Sequence, residues 1–152
     1  EPDFIDSLIQ AMAAYDIDPS CVEIELTESV AIDNVELIEQ KLAALRQAGV
    51  AVAIDDFGTG YSSLNILRRL DIDRLKIDRS FVSGEQCAAE DHGIARMVLQ
   101  LASQLGLRTI AEGIETEEQR QKLAALGCHE GQGYLFARPL SADAFVAFLR
   151  DR

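Results

Sequence analysis

The chain has 152 residues, 48% of them apolar and 26% charged. That is enough for one domain burying about 68% of its unfolded surface, and no apolar run approaches the roughly 20 residues that span a bilayer, so no membrane contact by this segment is expected. Lys and Arg number 14 against 26 Asp and Glu, a net charge of −12, which repels a nucleic-acid backbone, speaks against duplex DNA or RNA as a partner, and requires cations wherever a small anion is to bind. Cys21, Cys87 and Cys128 are odd in number and irregularly spaced, as expected of reduced thiols in cytoplasm. No leader opens the chain at Glu1-Pro2-Asp3, so a piece of a longer protein is expected, with any anchor or sensor lying elsewhere.

In chain order, Phe4, Leu8, Ile9 and Met12 space an outer amphipathic helix. Val22 to Thr27 is the first β-rich segment. Asp33 and Glu36 form a capping box, and Val35, Ile38, Leu42 and Leu45 then share a helical face until Gly49 stops it. The strand Val50 to Ile54 follows, wholly apolar as a parallel strand buried on both faces should be. Arg74 to Ile77 is the third strand. Ser83 to Asp91 is the least patterned stretch and reads as a loop opening a helix whose stripe, Ile94, Val98, Leu101 and Leu105, ends at Gly106. Arg108 to Ala111 is the fourth strand. Thr116 with Gln119 caps a helix ended by Gly127, the last strand is expected at Gly133 to Phe136, and Ser141 caps a terminal helix carrying Phe145 and Leu149. Alternating β and α with short joints imply a parallel sheet with right-handed crossovers, either doubly wound or a (β/α) barrel.

Barrel strands alternate side chains between the interior and the helix layer, and reactive groups collect at their carboxyl ends. Val22, Ile24 and Leu26 suit the helix layer, which sends Glu23, Glu25 and Thr27 inward; Leu75 and Ile77 likewise leave Lys76 and Asp78 inward. Val50 to Ile54 ends in Asp55-Asp56 before Phe57-Gly58-Thr59-Gly60, a turn that lets one carboxylate reach a different metal from its neighbour. The fourth strand delivers Glu112-Gly113-Ile114-Glu115, and Gly131-Gln132-Gly133 precedes the last. Hard oxygen ligands without His or Cys select Mg²⁺ or Mn²⁺. Two such ions would clamp the attacking and leaving oxygens of a phosphodiester and generate hydroxide near neutral pH. Singly, each group has a plainer reading. Asp55-Asp56 would be a polar strand end, Glu25 with Lys76 a structural ion pair, and Glu112 with Glu115 charges suited to the start of a helix. His92 and His129 lack a metal-ligand companion and read as exposed, and Cys128 as a small packing residue.

Five blocks together resemble, in order and spacing, the signature motifs of the EAL-domain cyclic di-GMP phosphodiesterases: Glu25-Leu26-Thr27-Glu28-Ser29, Asp55 to Leu64, Leu75 to Phe81, Ala111 to Thr116 and Gln132-Gly133-Tyr134. The resemblance implies a (β/α)₈ TIM-like barrel, present here as residues 1–152 of the domain's C-terminal part with about five parallel strands and outer helices. It implies that Glu25, Asp55 and Glu112 are ligands of two divalent ions, Mg²⁺ or Mn²⁺, with Asp56 serving the second ion or the bridging water. Lys76 would orient or help activate the attacking water and offset charge on the phosphate, Gln132 would position that water or a ligand nearby, Glu28 would hold the Asp-Asp-Phe-Gly loop in its active shape, and Glu115 and Asp78 would support the site. The implied reaction is hydrolysis of cyclic di-GMP to linear pGpG, by a homodimer whose companion domains include GGDEF, PAS or receiver modules. The Glu-Ala-Leu strand and the Asn-bearing strand of the family precede the motifs found here, so the isolated segment is expected to be inactive and to expose an unpaired edge. The alternative is a degenerate EAL domain that binds cyclic di-GMP as a receptor without cutting it.

Overall fold

Five parallel strands form one sheet in chain order: β1 (Glu23–Thr27), β2 (Ala51–Phe57), β3 (Arg74–Ile77), β4 (Arg108–Ala111) and β5 (Glu130–Gly131). They are seen in a computed structural model that describes residues 4–33, 35–58, 64–82 and 91–150, with the side chains of 31–33, 64–66 and 91–92 also outside the description. A doubly wound sheet reverses its strand order at a switch point. The order here never reverses, which selects the barrel topology of the two that the sequence allowed. The helices are α1 (Phe4–Ala14), α2 (Glu28–Asp33), α3 (Val35–Gln47), α4 (Leu64–Arg69), α5 (Asp91–Leu105), α6 (Glu117–Ala125) and α7 (Ala142–Arg150). None of the described helices is long and apolar enough to cross a membrane.

The core lies between the sheet and the helices. Ile38, Leu42 and Leu45 of α3 and Val98, Leu99 and Ala102 of α5 bury against Val52, Ile54, Leu75 and Ile77. The three glycines expected to end helices, Gly49, Gly106 and Gly127, all adopt positive φ. The Thr116–Gln119 capping box is present in full: the Thr116 hydroxyl accepts from the Gln119 backbone N–H, and the Gln119 side-chain Oε1 accepts from the Thr116 N–H. The Asp33 cap and the Ser83 to Asp91 loop fall largely outside the described residues, except that Asp91 already begins α5.

Three expectations need correction. The buried face of α5 is Ala95, Val98, Leu99 and Ala102, so Ile94 is turned outward. The two alanines let the helix approach the sheet closely, and counting only large apolar residues rotated the predicted stripe. β2 continues through Asp55 and Asp56 to Phe57 instead of stopping at Ile54. The last strand is Glu130–Gly131, and Gly133 to Phe136 turns away. The Phe136 N–H donates to the Gly133 carbonyl at 3.1 Å and the Leu135 N–H to the Ile114 carbonyl at 3.0 Å. Gly133 lies so close to the Ile114 backbone that any Cβ would collide with it. The apolar Tyr134-Leu135-Phe136 run therefore follows a turn that only glycine permits.

Gly131 answers to the same residue, because a Cβ there would sit 2.5 Å from Ile114 Cδ1 and Ile114 is itself buried. In the full-length protein, Gly131→Ala is expected to destabilise by about 1–3 kcal/mol through overpacking. Ile114→Val, which removes Cδ1, should cost about 1 kcal/mol alone and relieve the clash in the double variant. Urea midpoints for the four proteins check this, and purely additive losses would show that the two residues do not compete for space.

Candidate active site

The burial alternation of β1 and β3 sets the interior. Leu75 and Ile77 are fully buried toward the helices, which points Lys76 to the opposite, concave face. Its ammonium reaches Glu25 Oε1 of β1 at 2.7 Å, Asp55 Oδ1 of β2 at 3.1 Å and Glu112 Oε1, just past β4, at 2.7 Å. Lys76 is 6% exposed at its side chain, while Glu25 is 48% exposed. The cluster thus has a dry centre and a wet rim. Burial alone would push the ammonium's pKa down, but hydrogen bonds to Glu112, Glu25 and Asp55 outweigh it and hold the group above its ordinary value. All three carboxylates expected to be metal ligands meet at one point, and the structural ion pair of Glu25 with Lys76 exists as well.

Adjacent residues of a regular strand face opposite sides, so a consecutive Asp pair requires irregular backbone. β2 supplies it. Ile54 pairs with Leu75 and Phe57 with Ile77, so three steps along β2 match two along β3. That extra residue is a bulge, a device that re-aims side chains. Asp56 takes the strain with φ +54, a left-handed conformation that Asp tolerates better than most residues, and its N–H donates to Asp55 Oδ1 at 3.0 Å. Desolvation first, then the charges of Asp55 and Asp78, raise the Asp56 carboxyl above its ordinary pKa.

Glu28 opens α2 beneath this bulge and is 7% exposed. Its Oε2 accepts the Gly58 N–H at 3.1 Å, and its Oε1 is buried with no hydrogen-bond partner among the described residues. The contact with Gly58 anchors the first residue after β2; Thr59 to Ser63 lie outside the described residues. Asp78 caps the 3-10 turn Arg79–Phe81, accepting the Ser80 N–H at 3.0 Å. Burial raises its carboxyl, but the Ser80 hydroxyl and the backbone amides of Ser80 and Arg79 outweigh that and lower it. Gln132 is placed by its backbone: its N–H donates to the Ala111 carbonyl at 2.8 Å and its carbonyl accepts the Ile114 N–H at 3.0 Å. It therefore sits beside Glu112 at the strand ends with an exposed side chain. Glu115 is exposed, and its described hydrogen bond runs from its backbone to Gln119.

Two features escaped the sequence reading. A second charged layer lies one inward position below Lys76, where Arg74 pairs with Glu23 at 3.1 Å and Glu130 at 3.5 Å. Burial raises the Glu23 carboxyl, and Arg74 opposes the rise. The i, i+2 spacing of Glu23 with Glu25 and of Arg74 with Lys76 was the available signal. His129 is exposed, yet its Nδ1 accepts the Thr109 N–H at 3.2 Å while the Thr109 hydroxyl accepts the His129 N–H at 3.2 Å, which fastens β5 to β4. His92 has its side chain outside the described residues. Cys128, half-buried among core residues, packs as expected.

The donor set suits a hard divalent cation, since every candidate ligand is a carboxylate oxygen, and Glu25, Asp55 and Glu112 converge on one side of the sheet. Among the described residues no three His, Cys, Asp or Glu side chains stand arranged to hold an ion by themselves, because the carboxylates gather around the ammonium between them.

The sequence profile of the family described as EAL domain matches residues 1–139. A cyclic di-GMP phosphodiesterase of Pseudomonas aeruginosa is 42% identical over 147 residues, 97% of this chain and 25% of that protein. The crystal structure of the EAL domain of DcpA from Mycobacterium smegmatis superposes with a TM-score of 0.90 at 40% identity, covering 98% of this chain and 67% of that one. A manganese and cyclic di-GMP complex of BlrP1 from Klebsiella pneumoniae superposes with a TM-score of 0.82 at 37% identity, covering 91% and 36%. The chain thus spans about a quarter of that first relative's length.

The raised Lys76 pKa has a defined consequence for stability. The folded state holds this proton more tightly than the unfolded chain, so the ionic contribution is complete below about pH 10.5 and falls as pH rises above it. Urea midpoints from about pH 9 to about pH 11 are expected to fall more steeply for the wild type than for Lys76→Met. Parallel slopes would show that the cluster does not hold the proton.

Proposed function

This chain belongs to the EAL domain family, and on that premise we propose that it forms the C-terminal part of a metal-dependent phosphodiesterase that cleaves cyclic di-GMP to linear pGpG. The observation that carries the proposal is the meeting of Glu25, Asp55 and Glu112 at one atom. Each comes from a different strand or strand end, and packing a core gives no reason to gather three like charges there. Glu25, Asp55 and Glu112, with Asp56 re-aimed by the bulge, would hold two ions, Mg²⁺ or Mn²⁺. Such ions supply Lewis-acid polarisation of the phosphodiester and lower the pKa of water. Lys76, buried and charged, would orient the attacking water and offset phosphate charge. Gln132 would position the water from the neighbouring strand end. Glu28 would keep the loop after Phe57 in shape through Gly58, and Asp78 and Glu115 would support the rim from outside it.

The names of the relatives and the cyclic di-GMP complex of a solved structure support cyclic di-GMP as the ligand. A non-catalytic receptor has no evident use for four carboxylates and a lysine in this arrangement, so hydrolysis is the better reading. Dimerisation, companion GGDEF, PAS or receiver domains and a cytoplasmic setting belong to the same proposal. So does the inactivity of these 152 residues alone, since β1 and β5 leave the concave face open at both sides.

In the full-length protein with Mg²⁺ or Mn²⁺, cyclic di-GMP turnover is expected to drop on the order of 100-fold or more for Asp55→Asn, consistent with several kcal/mol of lost charge stabilisation. Chelation with EDTA should abolish turnover, and re-adding the ion should restore it. Equal turnover by the wild type and Asp55→Asn would overturn the site assignment. The isolated 152-residue chain is expected to show no measurable hydrolysis, and full turnover by it would refute the claim that the rest of the domain is needed.

A further inference from the structure

The proposed chemistry leaves open what keeps three carboxylates together before any divalent ion arrives. Like charges repel across a few ångströms, and Glu25, Asp55 and Glu112 stand on separate elements whose backbones could relax apart. Among the described residues, Lys76 is the ion-pair partner they share and the one each of them has. An ammonium has three N–H donors, and here each finds a different carboxylate. The group is also buried, so water does not screen it as it would a surface lysine.

We propose that Lys76 is an internal stand-in cation: in the metal-free protein its ammonium holds Glu25, Asp55 and Glu112 assembled, and a divalent ion binds by drawing carboxylate oxygens away from it. The inference rests on the metal-site reading above and adds a competition to it. A monovalent ammonium and a divalent ion cannot occupy one point, and their like charges repel when side by side. The four-carbon stem of lysine lets the charge withdraw without leaving the site. Each carboxylate has a second oxygen, so it can keep a bond to the ammonium while the first turns to the ion. Lys76 therefore weakens ion binding and, in return, keeps the unloaded site in its working shape.

The test uses the full-length protein as wild type, Lys76→Met and Asp55→Asn, with Mn²⁺ affinity read by electron paramagnetic resonance and thermal midpoints read with and without EDTA. Lys76→Met is expected to bind Mn²⁺ at least about tenfold more tightly than the wild type. In EDTA it should melt below the wild type, and saturating Mn²⁺ should close that gap. Should Lys76→Met fail to fold in EDTA, recovery of its circular dichroism on adding Mn²⁺ supports the inference, and no recovery overturns it. Equal or weaker Mn²⁺ binding by Lys76→Met, with Asp55→Asn impaired, overturns the competition while leaving the metal site standing. If Asp55→Asn binds Mn²⁺ as well as the wild type does, the metal-site reading fails instead; the midpoints in EDTA, which involve no ion, then still decide whether Lys76 assembles the carboxylates.

Discussion

The contact on which the rest depends is the buried ammonium of Lys76, whose three carboxylate partners come from β1, β2 and the end of β4. A charge placed there without partners would be expelled, since desolvating an ammonium costs several kcal/mol. The carboxylates without the ammonium would repel one another. Each half of the arrangement is untenable alone, so the register of four strands is coupled to one side chain. The coupling needs the flanking residues: Leu75 and Ile77 are fixed in the helix-facing core, and the pleat then leaves Lys76 no direction but inward.

The same strand repeats the pattern one layer down, where Arg74 draws Glu23 and Glu130 together. The two layers differ in character. The lower one links β1 to β5 through a guanidinium that remains partly accessible, and β2 contributes Ala53 opposite Arg74 instead of an acid. The upper one gains its third carboxylate from Asp55, two residues on from Ala53 and so on the same face by the ordinary pleat. A regular β2 would have sent either Asp55 or Asp56 into the helix layer. The acid that β2 supplies at Asp55, where it has only Ala53 one layer down, is therefore what separates the upper cluster, with its surplus negative charge, from the lower one; the bulge, with Glu28 bracing the Gly58 amide behind it, alters the strand at Asp56.

Much of this was legible in the sequence because period-2 alternation and strand-end position are local signals. Arg74 to Ile77 and Arg108 to Ala111 were located to the residue, and the inward set of Glu25 and Lys76 followed from the apolar residues between them. What remained hidden depends on contacts between distant segments. The exclusion of a strand at Gly133 to Phe136 is enforced by Ile114, some twenty residues earlier, and no window around Tyr134 contains it. The bulge was invisible because its cause is the pairing of β2 with β3. The register of α5 was missed because alanine carries little weight in a hydrophobic stripe yet sets how near a helix can lie. The placement of Gln132 beside Glu112 rests on backbone bonds to Ala111 and Ile114, some twenty residues earlier, which no local signal around Gln132 carries.

Charge alone constrains what such a site can accept. Three carboxylates around one ammonium leave it two negative charges, and Asp56, carried beside them by the bulge, makes three when ionised. A phosphodiester approaching that surface is repelled. A single divalent ion would leave the site still negative, whereas two would make it positive and attractive to an anion. On the proposed reading, a site assembled by Lys76 would admit an anionic ligand only with both ions in place, which would tie the acidic composition of the chain to metal binding before substrate.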